Sequence, residues 1–206
     1  MTRHKISTKF LSIEKVEKII DRKQKIELSQ EAIDAVQKCR AYLDKKTDTE
    51  KEPIYGVTTG FGSLCNRSIS KEDLSTLQRN LVISHACGVG AEVPQEIVQL
   101  MLLMKIQSLS YGHSGVQLAT IQRLVDFYNK GVYPVVYQQG SLGASGDLAP
   151  LAHLSLPIIG MGEVYYRGKK YPASVINEKF GWEPITLQSK EGLALLNGTQ
   201  FMSAHA

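Results

Sequence analysis

The densest run of chemistry-bearing residue types is Gly140-Ser-Leu-Gly-Ala-Ser-Gly-Asp-Leu-Ala-Pro-Leu-Ala-His153. Its glycines specify a turn, and Ser145 or Asp147, with Pro150 just behind, suits the first turn of a helix. On geometry alone, a Ser-Gly-Asp turn ahead of a helix is an ordinary cap. The run is not a serine-nucleophile elbow, because G-x-S-x-G spacing is absent, and no Gly-Lys-Ser/Thr follows to make a phosphate cradle. The order Ala144-Ser145-Gly146 nevertheless permits a rarer reaction. In a compressed turn the Gly146 nitrogen can attack the Ala144 carbonyl carbon, and loss of water closes a five-membered ring. Loss of a second water from Ser145 leaves an exocyclic methylidene, a carbon electrophile that no ordinary side chain supplies. Glycine suits the attacking position because a Cβ would crowd the approach and forbid the strained dihedrals. The helix start after Asp147 would direct backbone dipoles at charge developing there.

Three more residues stand out, each with an ordinary structural account. Tyr55 opens the Gly-rich passage Tyr55-Gly-Val-Thr-Thr-Gly-Phe-Gly62, where an aromatic ring can anchor a loop. His85 ends the helical stripe Leu74, Leu77, Leu81, where a hydrogen-bonded core histidine is expected. Asn197 stands in Leu-Leu-Asn-Gly-Thr, and Asn-Gly is a common helix ending. His153, His113 and His4 match no ligand spacing and are assigned to packing or surface.

The elements that must position these residues read as mainly helical. Ser12 and Ser29 are placed to cap two amphipathic helices, one with Ile13, Val16 and Ile19-Ile20, the other with Ile33, Val36, Cys39 and Leu43. A helix carrying the Leu74–His85 stripe ends at Gly88 and Gly90. Pro94 opens another through Leu109, apolar nearly all round and therefore buried. A third runs from about Val116 to Asn129 and stops at Gly131 and Pro134. After 140–147 a helix carries Leu151, Leu154 and Ile158. The only convincing strand signal is a hairpin over Val164–Tyr171 turning at Gly168. Residues 193–196 and 201–206 are helix-compatible without a cap or polar tail, so the chain is expected to stop in mid-structure.

Composition narrows the classes. The 206 residues are 43% apolar and 21% charged, which supports a packed core and excludes wholesale disorder. A net charge of +4 with the signs mixed argues against nucleic acid. Cys39, Cys65 and Cys87 are odd in number and widely spaced, which argues against a disulfide framework or a structural zinc site. The start lacks an apolar signal stretch, and the run Ile97–Met104, broken by Gln99 and closed by Lys105, is too short to span a bilayer. A soluble cytoplasmic protein is expected. Residues 1–52 hold 13 basic and 10 acidic residues, whereas 53–163 hold only 6 and 7. So charge-poor a middle is either the core of something large or a surface for a partner chain.

Four ordered blocks carry a family likeness: YGVTTGFG at 55–62, NLVISHACGVG at 80–90, GSLGASGDLAPLAHL at 140–154 and EGLALLNGTQ at 191–200. Together they resemble the aromatic amino acid ammonia-lyases, and the histidine branch in particular. The likeness reaches nearly the whole chain but only the N-terminal part of that family, whose members are more than twice as long.

The resemblance implies a mainly α fold with a small β element, forming an N-terminal cofactor-bearing region with the central helical bundle largely missing. One region spans 1–206: a charged helical start (1–52), a Gly-rich loop and helices with the cofactor-forming turn (53–163), then a hairpin and the start of a truncated helix (164–206). It implies that Ala144, Ser145 and Gly146 form a 4-methylidene-imidazol-5-one cofactor and that Tyr55 takes the β-proton. His85 would line the ring pocket and Asn197 would serve the amino acid head of the substrate. No metal is obligatory. The implied activity is elimination of ammonia from L-histidine to give trans-urocanate, in a homotetramer whose sites combine several subunits. A tyrosine or other aromatic amino acid lyase or aminomutase is the alternative, because His85 occurs in both branches. A non-catalytic helical association module is a further one. The family's carboxylate-binding arginine and further tyrosine, glutamine and acidic groups lie in the missing C-terminal part, so these 206 residues alone are expected to be inactive. Many relatives have Asn where this chain has Thr58, which removes an amide from the Tyr55 loop.

Overall fold

The computed structural model describes residues 3–206 apart from Lys51, Asn66, Lys71 and 143–145, and of Leu64 only the backbone. Helices dominate, and their ends follow the local chemistry of the sequence. Helix α1 (Ile13–Asp21) starts at Ser12, and α2 (Gln30–Thr49) starts at Ser29, whose hydroxyl accepts from the Ala32 amide. Next come α3 (Leu74–His85), α4 (Gln95–Ser110) and α5 (Leu118–Lys130), which stops at a left-handed Gly131. Helix α6 (Leu148–Ser155) ends sooner than the Leu151, Leu154, Ile158 stripe predicts. Pro157 has no N–H for an α-helical bond, and Leu156–Ile159 tightens into a 3-10 turn. Helix α7 (Ala173–Phe180) and two six-residue helices, α8 (Glu191–Leu196) and α9 (Gln200–His205), complete the set.

The strand content exceeds the single hairpin that the sequence signals. Strands β1 (Arg3–Ile6) and β2 (Lys25–Leu28) pair in parallel across α1. Strand β3 (Val89–Glu92) pairs antiparallel with β5 (Tyr137–Gln139), and β4 (Val132–Pro134) joins the expected hairpin of β6 (Glu163–Tyr166) and β7 (Lys169–Pro172). That hairpin turns through Arg167 and Gly168, both at positive φ, as a two-residue turn between right-twisted strands requires. The remaining strands have three or four residues each, too short for alternation to register. A hollow of about 850 Å³ lies between β2 and α5. Asn129 spends both ends of its carboxamide on the Ile26 backbone there, as a further strand would.

Helix α4 is the axis of the core. Met101, Leu102, Leu103 and Ile106 are fully buried, and α5 adds Ile121, Leu124 and Phe127. Cutting any of these back to alanine should cost about 2–5 kcal/mol, transfer plus cavity. This layer is the rigid floor on which α3, α6, α8 and α9 carry the candidate site.

His153 ties the loop after α3 to α6: its Nε2 accepts the Gly88 N–H at 3.0 Å, and Tyr137 packs edge-on against its ring. Only the neutral ring can accept that proton, and burial holds its pKa below the ordinary histidine value. A depressed pKa means that the fold favours the neutral form, so its contribution is complete above about pH 6.5 and is lost as pH falls below it. Urea unfolding at about pH 8 and about pH 5.5 should therefore show acid destabilisation that shrinks in His153→Gln, which keeps an acceptor without titrating. Burial shifts His4 the same way in both proteins, so the difference between them isolates His153. Equal loss in both would refute the assignment.

Candidate active site

Tyr55, His85 and Asn197, far apart in sequence, line one cavity of about 450 Å³. Its floor is apolar: Leu81 from α3, Leu148 from the start of α6, and Leu193 and Leu196 from α8. Residues Leu81 and His85 of the predicted stripe face this cavity, while the buried ridge of α3 runs through Leu74, Gln78 and Val82. Tyr55 is 62% exposed, with Phe61 edge-on 6.0 Å from its ring. Its loop is held from within. The Thr58 hydroxyl accepts the Ile54 N–H at 2.8 Å, and the buried Thr59 hydroxyl accepts from Gly56 at 3.2 Å. Thr58 thus supplies the loop with a side-chain acceptor.

His85 Nδ1 lies 2.8 Å from the Leu81 carbonyl. A carbonyl can only accept, so Nδ1 carries the proton, which leaves Nε2 as the acceptor of the neutral ring. Asn197 ends α8 in an extended conformation, its carboxamide nitrogen 3.4 Å from the Leu193 carbonyl. Its own carbonyl takes a 2.9 Å bond from Lys105 Nζ.

Ala144 and Ser145 lie outside the described residues; Gly146 lies within them. Gly146 has φ +81°, and a Cβ there would sit 2.6 Å from the Gly198 carbonyl oxygen. Backbone fills the place of a side chain, so only glycine fits. That is the property required of the nitrogen donor in the cyclisation. Ser141 Oγ donates to the Gly146 carbonyl at 3.2 Å, bridging the two sides of the turn. The Asp147 N–H donates to the Gly198 carbonyl at 3.0 Å. Asp147 holds the capping position of α6, yet its side chain makes no bond there. Its Oδ2 instead accepts the Phe201 and Met202 amides at 2.9 and 3.0 Å, capping α9 from another part of the chain.

Comparison with known proteins follows the same outline. A family model described as aromatic amino acid lyase matches residues 11–206. The chain belongs to the aromatic amino acid lyase family. It is 51% identical to the histidine ammonia-lyase of Bacillus subtilis (strain 168), over 85% of this chain and 34% of that one. The crystal structure of histidine ammonia-lyase from Trypanosoma cruzi superposes with a TM-score of 0.88 at 36% identity, over 98% of this chain and 39% of that one. A tyrosine aminomutase from Streptomyces globisporus superposes at 0.89 with 32% identity, over 98% and 38%. The chain thus spans little more than a third of the length of such relatives and matches the N-terminal part of the lyase fold.

Sequence reasoning missed two residues around this candidate site. Asp147 was legible only as a local cap, because nothing in its neighbourhood announces α9 as its partner. Lys105 closed an apolar run without a purpose, although it is the only charged residue between Glu96 and Arg123. Asp147→Ala leaves two part-buried helix-end amides without this acceptor and should lower unfolding free energy by about 1–3 kcal/mol, with Asp147→Asn between it and the parent. Urea titration at neutral pH measures both. A loss below about 0.5 kcal/mol for Asp147→Ala would show that α9 does not depend on this carboxylate.

Proposed function

We propose that this chain is the N-terminal, cofactor-bearing region of a histidine ammonia-lyase, which eliminates ammonia from L-histidine to give trans-urocanate. The observation that carries the reading is the single cavity shared by Tyr55, His85 and Asn197, beside the helix that follows Ala144-Ser145-Gly146. The 4-methylidene-imidazol-5-one formed from those three residues supplies an electrophilic carbon and a sink for the electrons that leave with the amine. Gly146 provides the ring-closing nitrogen, and its lack of a Cβ lets the Gly198 carbonyl press close against it.

The remaining roles belong to ordinary side chains. The leucine floor holds the substrate ring, and His85 Nε2 accepts a hydrogen bond from the imidazole N–H. Asn197 binds the amino acid head with its carboxamide. Tyr55 takes the β-proton, a demanding role because a free phenol ionises near pH ~10 and the completed site must lower that value or supply driving force. The reading places the charged helical start in 1–52, the loop and turn machinery in 53–163, and the hairpin with the first turns of a longer helical part in 164–206. The working form is a cytoplasmic homotetramer whose sites combine subunits. Leu142, 83% exposed next to the cofactor-forming turn, supports a protein contact there.

A tyrosine-specific lyase or aminomutase is the second reading. The same Nε2 acceptor takes a phenolic O–H as readily as an imidazole N–H, and the tyrosine aminomutase likeness points the same way.

Two measurements test the proposal. The intact mass of the purified chain should be short by two waters, localised to the peptide around Ser145 and absent in Ser145→Ala. An unmodified tripeptide in the folded, full-length protein would leave a non-catalytic association module. In that full-length protein L-histidine should yield trans-urocanate faster than L-tyrosine yields its own elimination product, whereas the reverse preference selects the second reading. The 206 residues alone should form no urocanate, and measurable turnover by them would contradict the assignment of essential groups elsewhere.

A further inference from the structure

Lys105 is a cation set among the buried apolar residues of α4. It is 1% exposed, between Met101, Leu102 and Leu103 on one side and Ile106 and Leu109 on the other. A leucine or methionine would fill that volume without the desolvation that an ammonium suffers, so packing alone does not account for a lysine. The acceptor that the structure gives Nζ is the Asn197 carbonyl, at 2.9 Å. Asn197 follows a helix of only six residues, and the chain turns away at Gly198, so this carbonyl lacks the next helical N–H that would otherwise satisfy it.

We propose that Lys105 is a positioning residue, which grips the Asn197 carbonyl from inside the core and thereby sets how the 197–198 segment meets the cofactor-forming turn. The inference rests on reading Ala144-Ser145-Gly146 as that turn. Its force comes from peptide planarity. Fixing the Asn197 oxygen fixes the plane that contains the Cα atoms of both Asn197 and Gly198. One of these carries the carboxamide at the cavity. The other leads to the carbonyl that receives the Asp147 N–H and abuts Gly146. A single buried bond therefore orients the substrate-side amide and the backbone that abuts Gly146. Burial pushes the Lys105 ammonium down to about 7, and the amine and the ammonium both keep N–H donors, so the grip persists in either form.

The test uses the chain with Lys105→Met, which keeps length and loses the donor, and with Lys105→Arg, which restores a donor. Residue-resolved amide hydrogen exchange and intact mass are followed together. In a folded Lys105→Met protein, exchange at the Asp147 and Asn197 amides should rise about ten-fold or more while the Ile106 amide is unchanged. The two-water mass deficit should also form about ten-fold more slowly, with Lys105→Arg recovering both. Unchanged exchange at Asp147 and Asn197 would overturn the proposal, as would a uniform rise across the chain or failure of both variants to fold, since Lys105 would then serve the core alone. If the parent chain shows no mass deficit, ring closure is read in the full-length protein, where an unmodified tripeptide ends the reading of the turn, and the exchange data still decide the role of Lys105.

Discussion

The site depends on one close crossing, where the backbone of Gly146-Asp147 passes over that of Gly198. At Gly146 a Cβ would sit 2.6 Å from the Gly198 carbonyl oxygen, so that side of the crossing is open only to glycine. The crossing would drift without a lock, and Asp147 provides it with three bonds in two directions. Its N–H holds the Gly198 carbonyl, and its carboxylate holds the first amides of α9. A carboxylate at orphan helix amides is favoured by hydrogen bonding and by the helix dipole together. Gly146-Asp147 and the backbone that follows Asn197 are thus fastened to each other.

Buried charge elsewhere in the molecule is used in the same manner. Glu191 is fully buried and collects four hydrogen bonds, from the amide and side chain of Gln117, from Thr120 and from the Gln188 amide. Burial raises its pKa while those donors oppose the rise, so its desolvation is offset by bonds at the start of α5. Arg40 spends its guanidinium on the Gly115 and Ser189 carbonyls. Lys105 does so on Asn197. In each case a charge satisfies backbone groups that a short helix or an irregular segment leaves unpaired. This is how short α8 and α9 can be held rigidly although neither would be stable alone. Within the charge-poor middle of the chain, Lys105 and Asp147 are buried and fasten backbone in this way.

How much of this was legible in the sequence follows from the range of each signal. The helices were legible because Ser12, Ser29 and Gly131 act within one turn of themselves and the apolar spacing repeats. The site residues were legible because they sit in motif blocks, and the fold brings Tyr55, His85 and Asn197 to one cavity. The strands were not, since β1 and β2 each bury little more than one isoleucine and owe their pairing to the crossover through α1. The roles of Asp147, Glu191 and Lys105 were not legible either. Their partners lie 54, 74 and 92 residues away, beyond anything that local spacing encodes.

The cavity itself shows what further structure the proposed chemistry demands. Its apolar surface lies at the floor and its polar groups stand at the rim, with Tyr55 and Asn197 exposed and His85 half-covered. An aromatic ring can settle on such a floor by burying apolar area. The rim groups, however, work in water, where hydrogen bonds exchange with solvent and electrostatic effects on a phenol are screened. Proton abstraction by Tyr55 needs the opposite condition, a dry site in which fixed dipoles act at full strength. The side of the cavity facing solvent must therefore be covered by other protein before Tyr55 can act as a base. Formation of the electrophile makes a different demand, since its backbone crossing and its Asp147 lock both lie within this chain.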